Sequence, residues 1–196
     1  MNLQARVAAT TLRTMGWSFV TPPPSVPKFV GLAVPHTSNM DGLLMVLMAK
    51  QIGLEMSWMV KDAIDKPVLG TVVRTVGGVF IERSKSHGVV DQMIEQFARR
   101  SRFALVVPPE GTRSRRDYWK SGFYHIALGA KVPVVPGFLD YGRKEGGFGE
   151  PIELTGDVRA DMDRIRAFYA SRDPQPRYPD KYGPIRLREE EQDGPS

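Results

Sequence analysis

His36 and Asp41 stand five positions apart in the stretch Val34-Pro35-His36-Thr37-Ser38-Asn39-Met40-Asp41-Gly42. The chain has three histidines, and Asp41 is its first acidic residue. An imidazole with one nitrogen held by a carboxylate makes a base that works near neutral pH. On a continuous helix, five positions put two side chains about 140° out of register. The pair therefore works only if His36 lies in a loop ahead of a helix and Asp41 in that helix's first turn. The same residues fit a second role. Ser38-Asn39-Met40-Asp41 has capping-box spacing, with Ser38 as N-cap and Asp41 three residues on. These residues alone leave both roles open.

A second set of candidates surrounds two arginines. Arg83 follows the apolar run Val79-Phe80-Ile81, and Arg113 follows Phe103-Ala104-Leu105-Val106-Val107 within Pro109-Glu110-Gly111-Thr112-Arg113-Ser114. The ends of parallel strands are where open α/β sheets bind ligands, and a guanidinium there offers a planar fork to phosphate oxygens. Gly111 lets the backbone approach a ligand closely, while Glu110 can accept from the ligand or hold Arg113. Taken singly, each arginine also fits a solvated surface. Residues 83–120 hold nine Lys or Arg against four Asp or Glu, so much of the basic excess lies among these motifs. That excess suits either a solvated face or a site for an anion.

Other chemistries lack their signatures. With no cysteine, disulfides and thiolate metal sites are excluded. There is no G-x-S-x-G elbow, and Ser121 reads as a helix cap. No phosphate-binding or dinucleotide glycine pattern occurs, and Gly146-Gly147-Phe148-Gly149 reads as a turn. His87 and His125 lack metal-ligand spacing and read as structural, so no metal is expected. A nucleic-acid partner is not expected either, because basic residues are not interleaved with aromatics.

The elements that must carry these residues alternate. Apolar segments at residues 28–34, 56–60, 79–81, 103–107 and 131–141 read as strands, with Pro133 and Pro136 placing the last at an edge or a bend. Segments 39–52, 62–76, 87–100, 121–130 and 157–170 read as helices. The expected architecture is α/β, a central, mostly parallel sheet flanked by helices, in one domain of ordinary size. Residues 1–20 read as an acid-free amphipathic helix, with Ala8, Leu12, Met15 and Phe19 on one face and Trp17 as an interfacial aromatic. A helix packed on the domain, a segment lying on a membrane and a transit peptide all fit this pattern. No apolar run reaches the ~20 residues of a spanning helix.

In order, these blocks resemble the glycerolipid acyltransferase family, whose best-known members are 1-acyl-glycerol-3-phosphate acyltransferases. The blocks are His36-x4-Asp41, Ile81-Glu82-Arg83, Pro109-Glu110-Gly111-Thr112-Arg113-Ser114 and Val132-Pro133-Val134-Val135-Pro136. The resemblance implies that His36 is the general base and Asp41 its orienting partner. It implies that Arg83, Glu110, Gly111, Thr112 and Arg113, with Lys61, hold the polar head of a lysophospholipid acceptor. It associates Val132, Pro133 and Pro136 with the acyl donor, either acyl-CoA or acyl carrier protein, and requires no further cofactor. The chain departs from the family at Pro35, where Asn is common, and at Pro108, where an aromatic is.

The resulting expectation is acyl transfer in phospholipid biosynthesis, by a protein lying peripherally on the inner, cytoplasmic face of an anionic membrane. Residues 1–25 are the expected membrane-associating segment, 26–172 the acyltransferase domain and 173–196 a flexible polar tail. Another lyso-lipid acceptor, such as a lyso-ornithine type, and a non-catalytic module that binds anionic lipid are the alternatives.

Overall fold

The computed structural model describes residues 2–61, 71, 77–81 and 88–191. Among them are seven strands: β1 Ser18–Phe19, β2 Lys28–Val34, β3 Met56–Lys61, β4 Gly78–Ile81, β5 Phe103–Val107, β6 Val134–Asp140 and β7 Glu145–Phe148. They form one sheet in the order β1-β7-β6-β2-β5-β3-β4. The run from β6 to β4 is parallel, β7 is antiparallel to β6, and β1 is parallel to β7. Among the described residues five helices flank it: α1 Leu3–Thr14, α2 Asn39–Ile52, α3 Val89–Arg99, α4 Gly122–Ala130 and α5 Val158–Arg172. The expected α/β class is the observed one. The expected helix over 62–76 falls largely outside the described residues.

The central strands are apolar on both faces because both are covered, as parallel sheets require. Val30, Leu32 and Val34 of β2 join Phe103, Leu105 and Val107 of β5 in a core with helices α3, α4 and α5. The alternate residues Phe29, Ala104 and Val106 face the other layer, formed by α2 with α1 outside it. Helix α3 sits on the sheet through Met93 and Phe97, four residues apart on one face.

Four expectations change. The N-terminal helix stops at Thr14, and after Gly16, at φ 77°, the chain continues as β1. Trp17 is not at an interface: it is buried edge-on against Tyr141, 4.9 Å between ring centres. Strand β6 lies inside the sheet between β2 and β7. It tolerates Pro136 because the proline N faces the side where its neighbour loops out between Gly149 and Ile152. On that side Gly149 N–H donates to Pro136 O, and the next pairing is Val134 with Ile152. The glycines expected as a turn form β7. A Cβ on Gly146 would lie 2.5 Å from Met48 Sδ, and one on Gly147 2.7 Å from Thr21, so close packing selects glycine here.

The fourth correction concerns the expected loose tail. Residues 173–191 lie back across the domain. Leu187 is buried beside Trp119, and Trp119 N–H donates to Arg186 O at 2.8 Å. Arg166 of α5 reaches Glu190 at 2.6 Å.

Candidate active site

Strands β2 and β5 are adjacent and in register, Leu32 opposite Val107, so the loops after them leave the same edge of the sheet. The β2 loop carries His36, which follows the cis Val34-Pro35 bond, and leads into α2. The β5 loop carries Glu110 and Arg113. Two residues 74 positions apart in sequence thereby meet: His36 N–H donates to Glu110 Oε1 at 3.1 Å.

Asp41 sits in the first turn of α2 and is 3% exposed. Its Oδ2 accepts the backbone N–H groups of Thr37 and Ser38, both at 2.7 Å, and its Oδ1 accepts the hydroxyls of Ser38 and Tyr141, both at 2.6 Å. Four donors fill the capacity of a carboxylate. His36 Nδ1 lies 3.7 Å from Oδ2, within ion-pair range but beyond a hydrogen bond. The two roles left open by the sequence thus belong to one group. Asp41 ties the N-cap backbone at Ser38 and also faces the imidazole.

Burial lowers the His36 pKa below its usual value, against the pull of Asp41 and with help from Arg113. The imidazole is therefore neutral at physiological pH, with Nδ1 toward Asp41 and Nε2 available as base. Glu110 is the opposite case. Burial pushes its carboxyl up to about 7, although the His36 N–H holds it down and the Asp41 charge adds to the rise. Its Oε2 is buried without a hydrogen-bond partner among the described residues.

The remaining candidates divide. Arg113 Nη1 hydrogen-bonds Asn39 Oδ1 at the first residue of α2, which brings the guanidinium to the His36 loop. Gly111 takes φ 66°, in the left-handed region that favours glycine, and its N–H closes a turn onto Pro108 O at 3.0 Å. Thr112 Oγ1 accepts from Ser114 N at 3.4 Å. The Lys61 backbone ends β3 opposite Ile81 of β4, and Arg83 falls outside the described residues. Among those residues, no group of three or more His, Cys, Asp or Glu is placed to hold a metal, and no helix is long and apolar enough to cross a membrane.

An apolar cavity opens at His36 and runs between the sheet and α2, lined by Met45, Met48, Val106, Gly137, Leu139 and Phe148 among others. Val132 and Pro133 lie at the far end of β6, level with the start of β2, and do not line it. Pro136 faces a separate groove with Phe168 and Arg172. The part of this block's strand that reaches the cavity is its continuation, Gly137 to Leu139.

A model of the Acyltransferase family matches residues 30–139. The chain belongs to that family. Two similar curated proteins are 1-acyl-sn-glycerol-3-phosphate acyltransferases. The one from Limnanthes douglasii is 33% identical over 84 residues, 40% of this chain and 30% of that protein. The one from Saccharomyces cerevisiae is 34% identical over 77 residues, 36% of this chain and 25% of that protein. The matches thus span less than a third of the length of these relatives. The crystal structure of the 1-acyl-sn-glycerophosphate acyltransferase from Thermotoga maritima shares the fold, with a TM-score of 0.59 at 16% identity over 89% of this chain and 80% of that one.

In this member of the family the match includes His36, Asp41, Glu110 and Arg113 but stops before Tyr141. No local spacing could have exposed Tyr141, because it reaches Asp41 across 100 residues of sequence. Burial and its bond to Asp41 push the Tyr141 hydroxyl up to about 12, so it remains a donor throughout the physiological range. Tyr141→Phe removes one charge-assisted hydrogen bond, typically worth about 1.5–3 kcal/mol of stability. It also strengthens the field of Asp41 at the imidazole. The expected result is a lower melting temperature together with a higher His36 titration midpoint by NMR. An unmoved midpoint would leave Tyr141 a structural role alone.

Proposed function

We propose that the chain transfers a fatty acyl group from a thioester, acyl-CoA or acyl carrier protein, to the hydroxyl of a lysophospholipid of the 1-acyl-glycerol-3-phosphate type. The observation that carries this reading is the place of His36. It is a half-buried, neutral imidazole with Asp41 behind it, an apolar cavity on one side and the Arg113 guanidinium on the other. Such a boundary suits a reaction joining an alkyl chain to a phosphate-bearing alcohol.

The chemistry needs no covalent enzyme intermediate. His36 Nε2 takes the proton from the acceptor hydroxyl as its oxygen attacks the thioester carbonyl carbon. The tetrahedral intermediate collapses, the C–S bond breaks, and the departing thiolate receives the proton from the imidazolium. Asp41 stabilises the transient positive charge on the ring. The acyl chain lies in the cavity under α2, and Arg113 faces the phosphate. Helix α1 rests on the anionic membrane that holds acceptor and product. It carries Arg6 and Arg13 without any acid, and Leu3 and Val7 are exposed on it at 75% and 56%.

Free thiol released from acyl-CoA, or from acyl carrier protein in a parallel arm, tests the proposal. Acceptors in anionic vesicles would comprise 1-acyl-glycerol-3-phosphate, a lysophosphatidylcholine and a lyso-ornithine lipid. Release that depends on the phosphate monoester is expected. Release with another acceptor only would change the substrate. Vesicle binding without release from any donor would leave a non-catalytic lipid-binding module.

A further inference from the structure

Residues 173–191 do more than cover the core. Tyr141 N–H donates to Gln175 O at 2.8 Å, and Tyr178 N–H reaches Thr37 Oγ1 at 3.4 Å, so this segment is tied to residues on either side of Asp41's hydrogen-bond network. Between it and the start of α2 lies an open pocket. Its lining includes Thr37, Ser38 and Asn39 on one wall, Arg113 from the β5 loop, and Arg177 and Lys181 from the C-terminal segment. Among the described residues that line this pocket, three are cations and none is a carboxylate.

The cations are held by neutral groups. Arg177 lies 5.9 Å from the Tyr141 ring centre and 5.6 Å from that of Tyr178, and Lys181 Nζ lies 4.5 Å over the Tyr178 ring. Arg113 is bonded to the Asn39 amide oxygen. Among the described residues none of the three forms an ion pair with a carboxylate. Like charges gathered without counter-charge repel one another, and an anion relieves that repulsion. The positive end of the 14-residue α2 faces the same pocket through Asn39 and Met40. Thr37 and Ser38 directly follow His36, so a group bound here sits beside the proposed base.

We propose that Arg177 and Lys181 of the C-terminal segment join Arg113 at the start of α2 to seat the phosphate monoester of the acyl acceptor. This rests on the acyl-transfer reading and deepens it. The acceptor site extends beyond the family match, which ends at residue 139. Arginine supplies a planar fork and lysine a point charge, a pair suited to a dianionic phosphate with three peripheral oxygens. The same cations would also meet phosphates of a membrane surface, so the test must separate the two sources.

The variants are Arg177→Ala, Lys181→Ala, their double, and Arg177→Lys, each checked for an unchanged melting temperature. The probe is a short-chain 1-acyl-glycerol-3-phosphate kept below its micellar concentration, with no bilayer present. Its binding is measured by calorimetry, and its KM and kcat with acyl-CoA by thiol release. Loss of a charge-assisted contact should weaken binding and raise the acceptor KM by about 10- to 100-fold. The acyl-CoA KM should hold, and Arg177→Lys should recover part of the loss. Unchanged affinity for the soluble probe overturns the proposal. So does an effect seen only with vesicle-borne acceptor, which assigns the cations to the membrane surface. If the wild-type protein binds the probe and the double variant does not, yet neither releases thiol, the phosphate seat stands and the acyl-transfer reading falls.

Discussion

His36→Ala is expected to lower kcat by about 10²–10⁴-fold, the usual contribution of a general base, while the protein stays folded. The side chain is partly exposed, at 21%, and among the described residues no hydrogen bond to its ring nitrogens holds the loop in place. The structural duty at this position belongs to the backbone, because His36 N–H donates to Glu110 whatever the side chain. Removing the imidazole therefore removes chemistry and little else. Thiol release under saturating acceptor, alongside a thermal melt, checks this. Turnover within about threefold of wild type would exclude His36 as the base.

Asp41→Asn is not an equally clean experiment. Four donors converge on this carboxylate, and an amide cannot accept them all because its NH2 group must face at least one. The substitution strikes the helix start and the imidazole together. Loss of activity and loss of stability would arrive in one variant, so neither would identify the role. His36→Ala separates these effects, because it removes the imidazole and leaves the four donors of the carboxylate in place.

What the sequence revealed follows the range of each interaction. His36 and Asp41 meet within one loop and one helical turn, and Glu110 to Arg113 are contiguous, so both sets could be recognised from spacing. Arg177 and Lys181 come to the start of α2 because Leu187, beside Trp119, and the hydrogen bonds of Gln175 and Tyr178 to Tyr141 and Thr37 anchor a segment whose composition otherwise reads as solvated chain. A buried leucine and contacts to residues far away in sequence fix such a path, and neither can be read from local composition. Strand β7 was hidden for a related reason. Gly146 and Gly147 have poor strand propensity, and their place in the sheet is set by Met48 and Thr21, which no pattern within β7 itself encodes. The cavity combines both effects, since it lies under α2 but ends on glycines more than 80 residues away in sequence.

Glu110→Gln is expected to make stability less sensitive to pH. Folding raises this carboxyl from 4.5 to about 7, chiefly through burial. Below pH 4.5 it is protonated in both folded and unfolded chains and contributes no pH-dependent term. Between 4.5 and 7 the unfolded chain loses the proton while the folded one keeps it, so wild-type stability falls as pH rises. Above 7 both forms are ionised and the full penalty remains, on the order of 3 kcal/mol for a shift of this size. Glutamine cannot ionise, yet its amide oxygen can still accept the His36 N–H. Relative to wild type, the variant should therefore gain about 3 kcal/mol in unfolding free energy between pH 4.5 and 8, whatever its offset at low pH. Urea titrations of both proteins at those two pH values measure the change directly. A difference that stays constant would mean that Glu110 ionises in the fold as it does in water. The unpartnered Oε2 would then have to be solvated rather than sealed beside the His36 loop.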